Sequence, residues 1–196
     1  MTRNNYKIDN SGNNQGLIIS ENNGSIQVSI QNVPRMPSLI SAVVKSLGEV
    51  CSNNDIESTF DFKEFKPDEK IEYNCVLKYR DIIRYFSGYY SVCERYLNAY
   101  DDSNIRSKAK ILNYVYICYM KAKGTILLEN KNIHKKEIDI IRQNSDKLID
   151  MVQDEIFKIV ETSKEVDIIY KEDMGLGVIC FICYCFMECK ILEKPL

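Results

Sequence analysis

Hydrophobic residues recur three or four positions apart along most of the chain after Ser38, which is the spacing of an amphipathic helix. Pro67 suits the first position of a helix, and we expect Ser87–Gly88 to bend that helix without ending it. The pattern predicts helices over about residues 38–51, 67–100, 104–128, 133–162 and 171–192. The apolar spacing in the fourth of these is close to a heptad, which favours a bundle. The predicted fold is therefore mainly α, a helical bundle of about five helices.

The first 36 residues follow a different period and are rich in Asn and Gly. Ile26, Val28 and Ile30 alternate with polar residues, which is the period of a half-buried strand. Asn23–Gly24 precedes them and suits a type I′ turn, because both central residues of that turn need positive φ. The sequence therefore predicts a short β-hairpin over about residues 17–31.

An isolated two-stranded hairpin is marginally stable in water, so its apolar face must pack against something. Either it covers the chain's own helical core, or it pairs with another chain or a second copy, which is the interpretation we favour because open strand edges accept further strands. The hairpin interface would then consist of Leu17, Ile19, Ile26, Val28 and Ile30. We divide the chain into a leader, residues 1–36, and a helical bundle domain, residues 37–196.

Charge and composition exclude several classes of function. The 196 residues carry a net charge of -2, which gives no general attraction to nucleic acid or to an anionic membrane. The longest uncharged run is shorter than the roughly 20 residues that span a bilayer. The N-terminal residues lack the apolar core of a secretory signal. We therefore expect a cytoplasmic protein without a membrane segment, whose eight cysteines are free thiols.

Half of the cysteines lie in one apolar segment near the C-terminus. Four thiolates can in principle bind zinc, but they must converge on one tetrahedral ion. On a single continuous helix they point in several directions, so we interpret them as core residues and expect no metal. The four are Cys180, Cys183, Cys185 and Cys189. A metal site would need further ligands from Cys51, Cys75, Cys93 or Cys118.

Other catalytic or cofactor-binding patterns are missing from the sequence. Gly175 and Gly177 lack the rest of a dinucleotide loop, and we interpret them as positions of close helix packing. The single histidine, His134, has no identifiable nucleophile to activate, so we expect it on the surface. The prediction is a protein with no catalytic residues and no cofactor, and therefore not an enzyme.

Lysines and tyrosines mark candidate contact surfaces. A lysine bias falls on Lys121, Lys123, Lys131, Lys135 and Lys136. A solvated helix face is the simpler interpretation, and contact with DNA or an acidic partner is the alternative. Five tyrosines cannot all face one core, so we expect some of them at an interface. They are Tyr89, Tyr90, Tyr114, Tyr116 and Tyr119.

Several segments of the chain resemble the helical domain of bacterial ABC-three-component (Lamassu-like) anti-phage conflict systems. The segments are Phe65–Asn74 with Lys78–Ile83, Asn144–Asp150 and Phe186–Pro195, and the resemblance covers roughly residues 60–196. In that family the domain follows many different effectors. The resemblance implies an assembly module that works with an SMC-like ABC ATPase and an effector subunit. Here only the predicted hairpin precedes the helices, so either the effector is a separate chain or this chain is a standalone accessory subunit.

We therefore expect a non-enzymatic scaffold or accessory subunit of an anti-phage defence complex. The bundle would bind the ATPase or the effector through protein–protein contacts, and the hairpin would mediate homo-oligomerisation or strand pairing. One alternative is a DNA-contacting accessory subunit of the same kind of complex, although nucleic acid is not favoured. The other is a cysteine-ligated metalloprotein.

Overall fold

A computed structural model describes residues 35–53, 66–103, 106–164 and 169–195. The chain divides into two compact units, residues 1–34 and residues 35–196. The predicted hairpin and its interface residues lie outside the described part, so the hairpin stays a prediction. The structure below is that of the second unit.

The described residues form eight helices and no strand, which confirms the mainly α class. They are α1 (Leu39–Ser52), α2 (Pro67–Tyr73), α3 (Arg80–Ser87), α4 (Tyr90–Ser103), α5 (Ser107–Glu129), α6 (Glu137–Gln143), α7 (Ser145–Thr162) and α8 (Lys171–Met187). The predicted first, third and last helices correspond to α1, α5 and α8, although α8 ends about five residues early. The expectation of about five helices is wrong for the described residues, because the two other predicted helices are broken.

The predicted helix over residues 67–100 is three helices, and its first break follows α2. Cys75 adopts a left-handed conformation, with φ of 55°. The backbone N–H of Val76 then donates to the carbonyl of Ile71, at 3.0 Å, and the N–H of Cys75 donates to that of Glu72. This is a Schellman motif, which closes a helix by satisfying its last carbonyl groups. A second break at Gly88 separates α3 from α4. The expectation that Ser87–Gly88 only bends the helix is therefore wrong, because the helix ends there.

The predicted helix over residues 133–162 is interrupted at Asn144, which separates α6 from α7. The side chain of Asn144 donates to the carbonyl of Ile140 at 2.8 Å and so satisfies a carbonyl of α6. Its own carbonyl accepts from the N–H of Leu148 and starts α7. The break places Asp146 in the first turn of a new helix, where an acidic side chain is favourable.

Helix α8 is the centre of the bundle and contacts α1 most closely. Two glycines permit this approach. A Cβ atom on Gly177 would lie 2.1 Å from the carbonyl oxygen of Val44, and a Cβ atom on Gly48 would lie 2.1 Å from that of Asp173. The prediction of close packing is confirmed for Gly177. It is wrong for Gly175, where an added Cβ atom would meet nothing within 4 Å.

The apolar C-terminal segment is a core helix, as its sequence predicts. Residues 180–187 of α8 are all buried, and they pack in one hydrophobic core with residues of α1, α3, α4 and α7. None of the helices in the described part of the chain is both long enough and apolar enough to cross a bilayer.

Candidate partner-binding groove

An open groove of about 660 Å³ runs along the outer face of α5. Tyr116, Met120, Gly124 and Leu127 of α5 line one side. The segment that follows α8, from Cys189 to Lys194, lines the other side, and Glu137 at the start of α6 lies at its edge. Its size is that of ligand- or peptide-binding clefts in general.

The α5 side of the groove exposes apolar surface. Met120 is 45% exposed and Tyr116 is 41% exposed, although both belong to the longest helix of the described part. The adjacent face of α5 is already occupied, since Val115 and Ile126 are fully buried against the core. Within the described part of the chain, the segment from Cys189 to Lys194 lies across the groove from this face and leaves its apolar side chains partly exposed.

Gly124 lies on this exposed face, one helical turn after Met120. It is an interior helix position, where glycine costs about 1 kcal/mol relative to alanine. Nothing lies within 4 Å of the position where a Cβ atom would be, so internal packing does not require glycine. In this respect Gly124 differs from Gly48 and Gly177, which the α1–α8 contact requires. The missing side chain instead leaves the floor of the groove open.

Charged residues form one wall of the groove. The Nζ atom of Lys123 lies 2.6 Å from Oε1 of Glu137 and 2.9 Å from Oε1 of Glu193. The hydroxyl of Tyr119 also donates to Glu193, at 2.8 Å. Burial opposes ionisation of Glu193, but the hydrogen bonds from Lys123 and Tyr119 prevail and lower the pKa of its carboxyl. This network fixes the C-terminal segment against α5.

A buried lysine anchors the same segment from the other side. Lys70 of α2 is 0% exposed, and its ammonium donates to the carbonyl oxygens of Phe186, at 2.5 Å, and Ile191, at 2.8 Å. Burial lowers the pKa of Lys70 to about 8. Its ammonium neutralises carbonyl groups at the negative end of α8, which is where a helix favours a cation. Asn74 completes the anchor by exchanging two hydrogen bonds with the backbone of Glu193.

A second polar junction joins α7 to the turn before α3. The carboxylate of Asp146 accepts from the backbone N–H groups of Leu77, Lys78 and Tyr79, at distances of 3.1 to 3.4 Å. The hydroxyl of Tyr79 donates to Asp150 at 2.5 Å. The segments that carry the family resemblance thus meet in pairs in the structure, and each pair is a junction between helices.

The cysteines are mostly core residues. Cys93 and Cys180 face each other across α4 and α8, with their Sγ atoms 3.5 Å apart. A hydrogen bond with Cys180 and burial both raise the pKa of Cys51, and burial raises the pKa of Cys183. Cys75 is exposed. Among the described residues, no group of three or more His, Cys, Asp and Glu side chains is arranged to hold a metal ion.

The predicted lysine surface is only partly available to a partner. Lys121, Lys131, Lys135 and Lys136 are exposed on α5 and on the turn that leads to α6. Lys123 is different, because the two glutamates of the groove wall bind it. His134 is exposed in the same turn, as expected.

The sequence predicts the exposed tyrosines of the groove but not the other residues of its α5 side. The expectation that the five tyrosines do not all face one core is confirmed, since Tyr114 and Tyr116 are exposed, whereas Tyr89, Tyr90 and Tyr119 are buried. Met120 and Gly124 were not singled out. A glycine inside a strongly helical run, four residues after a methionine, was the available signal.

Comparisons of the chain with models of protein families, with curated proteins and with solved structures yield no match.

Proposed function

We propose that this chain is a non-enzymatic scaffold subunit that binds other proteins through its helical bundle. The groove along α5 carries the proposal, because Tyr116 and Met120 expose apolar surface there beside the open position at Gly124. Contiguous exposed apolar surface within a polar rim is typical of interaction sites.

The state of the thiols supports a structural role for the cysteine-rich helix. A nucleophilic cysteine needs a lowered thiol pKa and access to solvent. Burial instead raises the pKa of Cys93, Cys183 and Cys185, and all three side chains are enclosed in the core. They act there as small hydrophobic residues.

The family resemblance supplies the kind of complex. By resemblance, the partners are an SMC-like ABC ATPase and an effector subunit of a Lamassu-like anti-phage system in the cytoplasm. The two junctions at Lys70 and Asp146 are consistent with an assembly module. They hold the helices and one wall of the groove in place, and neither junction involves the outer face of α5.

Co-expression with the products of the neighbouring genes, among which the resemblance predicts an ABC ATPase and an effector, tests this proposal. We expect a stable complex in size-exclusion chromatography with light scattering. If the chain elutes alone in the presence of both proteins, the scaffold role is refuted. The predicted hairpin is tested separately with Ile26→Asp and Val28→Asp in the full chain, which should lower the oligomeric state. An unchanged mass would exclude assembly through the hairpin.

The exposed lysines support DNA contact as a second candidate. Lys131, Lys135 and Lys136 lie close together in sequence at the turn between α5 and α6. Phosphate contacts by lysine weaken steeply with salt. We expect duplex DNA binding, if this candidate is right, to fall with salt and to be lost on replacing the three lysines by glutamine. No binding at low salt would exclude it.

A further inference from the structure

We infer that Cys93 and Cys180 are a redox pair, which a peroxide converts into a disulfide between α4 and α8, and that Cys51 of α1 is the thiol that receives the oxidant. This modification site goes beyond the proposed scaffold function and does not involve the groove. Three features of the core indicate it: the positions of the sulfur atoms, their enclosure, and the separation of the pair along the chain.

The sulfur atoms of three helices meet at Cys180. Its Sγ atom lies 3.5 Å from that of Cys93 on α4, and it also forms a hydrogen bond with Cys51 on α1. A disulfide bond is about 2.05 Å long, so the sulfur atoms of Cys93 and Cys180 must approach by roughly 1.5 Å. Rotation of the two side chains supplies a movement of that size without a new helix arrangement.

The enclosure of the pair selects a small oxidant. Cys93 and Cys180 are each 1% exposed, and Cys51, in the last turn of α1, is 6% exposed. A bulky disulfide such as oxidised glutathione cannot bring its sulfur atoms to so enclosed a site, whereas hydrogen peroxide is little larger than water. Cys51 is the least enclosed of the three thiols, so it is the one that peroxide meets first.

Proximity offsets the low reactivity of buried thiols. The thiolate is the form that attacks an oxidant. A hydrogen bond with Cys180 and burial raise the pKa of Cys51, and burial raises the pKa of Cys93, so both are poor nucleophiles toward molecules in solution. Reacting groups held about 3–3.5 Å apart, however, gain an effective concentration on the order of 10⁵ M or more. We therefore expect oxidation that starts slowly and then proceeds selectively between neighbouring thiols.

Electrons and protons balance over three steps. First the sulfur of Cys51 attacks one oxygen atom of peroxide and the O–O bond breaks, which gives a sulfenic acid and one water. Next the sulfur of Cys180 attacks that of Cys51, the S–O bond breaks, and the oxygen leaves as a second water with the proton of the Cys180 thiol. Finally the sulfur of Cys93 attacks that of Cys180, and Cys51 leaves with the proton of Cys93. Two thiols are thus oxidised and one peroxide is reduced to water.

Peptide mapping of the full chain under non-reducing conditions tests the pairing. The folded protein is exposed to hydrogen peroxide, the remaining thiols are blocked with N-ethylmaleimide in denaturant, and cross-linked peptides are identified by mass spectrometry. We expect the Cys93–Cys180 disulfide to be at least about tenfold more abundant than any other, and dithiothreitol to remove it. Absence of this disulfide, or a main disulfide between other cysteines, would overturn the assignment.

The unfolded chain supplies a control. Cys93 and Cys180 are 87 residues apart in sequence, and the entropic cost of closing a loop grows with its length. In urea, peroxide should therefore join the cysteines of residues 180–189 to one another, and the yield of the Cys93–Cys180 disulfide should fall about tenfold or more. An equal yield from folded and unfolded protein would refute the role of the fold in bringing the pair together.

A matched pair of variants identifies the reacting thiol of α8. Cys180→Ala and Cys183→Ala each remove one enclosed thiol from this helix, so both lose a similar amount of packing. Circular dichroism checks that each variant is folded. Only Cys180→Ala should abolish the disulfide of Cys93, and its loss in both folded variants would refute the pairing.

The entry of the oxidant is tested by rates. We expect Cys51→Ala to slow formation of the Cys93–Cys180 disulfide about fivefold or more, because peroxide then lacks its first thiol. Oxidised glutathione should act more slowly than peroxide on the wild type at the same concentration. An unchanged rate in Cys51→Ala, or equal rates with the two oxidants, would exclude the proposed route of a small peroxide through Cys51.

Discussion

Two glycines of α8 should respond in opposite directions to the same substitution. Gly175 and Gly177 are two residues apart in one helix, and neither has positive φ. Alanine at either position restricts the unfolded chain and favours the helix equally, so these contributions cancel when the two variants are compared. Any remaining difference reports the contact between α8 and α1.

The structure sets the size of this difference. At Gly175 the added methyl meets nothing within 4 Å, so Gly175→Ala should stabilise the fold by up to about 1 kcal/mol. At Gly177 the methyl would lie 2.1 Å from the carbonyl oxygen of Val44 and 3.0 Å from the amide nitrogen of Gly48. Both are backbone atoms, so the helices must separate by about 1 Å. We expect the cost of this separation to lie at the upper end of the roughly 1–3 kcal/mol that overpacking costs. After the helix-forming gain, we expect Gly177→Ala to destabilise by about 2 kcal/mol.

Urea denaturation followed by far-UV circular dichroism measures both variants against the wild type. The expected difference between Gly175→Ala and Gly177→Ala is about 3 kcal/mol, well above the error of such extrapolations. If the two variants unfold at the same urea concentration, the close approach of α1 and α8 is wrong. If Gly177→Ala is the more stable, the central helix pair itself has been misassigned.

Three further predictions concern the junctions and the thiols. Cys75→Gly should stabilise by about 0.5–1 kcal/mol in urea denaturation, because glycine accepts the left-handed conformation at φ 55° without steric cost; a loss of stability would contradict the helix ending at α2. Asp146→Ala should cost about 1–2 kcal/mol in the same assay by removing the acceptor of three backbone N–H groups, and Asp146→Asn should cost less; equal costs would contradict this geometry. Burial raises the pKa of Tyr184 and of the four thiols of Cys93, Cys118, Cys183 and Cys185 in the folded state, so the unfolded chain loses these protons first and stability should fall as pH rises above about 9, by up to about 1.4 kcal/mol per pH unit for each such group. Among the described residues, Lys70 opposes this trend, since its lowered pKa makes stability rise between about 8 and 10.5. Four thiols outweigh one lysine above about pH 9, so thermal unfolding that is unchanged between about pH 9 and about pH 10 would refute the expected net loss.

The helix faces were predictable because they follow from local periodicity, and the helix breaks were not. Cys75 and Cys189 both adopt left-handed conformations at helix ends, with φ of 55° and 53°. Sequence reasoning looks for glycine or asparagine at such positions. Tertiary contacts stabilise these ends instead, since Lys70 and Asn74 bind the chain around the second of them across more than 110 residues. Contacts of that kind cannot be read from local sequence.

The candidate groove was less predictable than the fold for a related reason. The sequence does not distinguish Lys123 from the exposed lysines, because it shows the charge of Lys123 and not its two carboxylate partners. Glu193 is 70 residues away along the chain, and only the fold brings it to α5. In the sequence, the only sign of the exposed apolar face of α5 is a number of tyrosines too large for one core.

The segments that carry the family resemblance lie at contacts between helices and not on the outer face of α5. Phe65–Asn74 and Phe186–Pro195 meet at Lys70, and Lys78–Ile83 meets Asn144–Asp150 at Asp146, so all of them hold helices together. A chain of this fold needs such junctions whatever it binds. The groove combines one wall from the last of these segments with the outer face of α5, which belongs to none of them. If the proposed scaffold function is right, partner recognition can change through α5 while the junctions and the bundle stay the same, and substitutions on the outer face of α5 test that function without disturbing the fold.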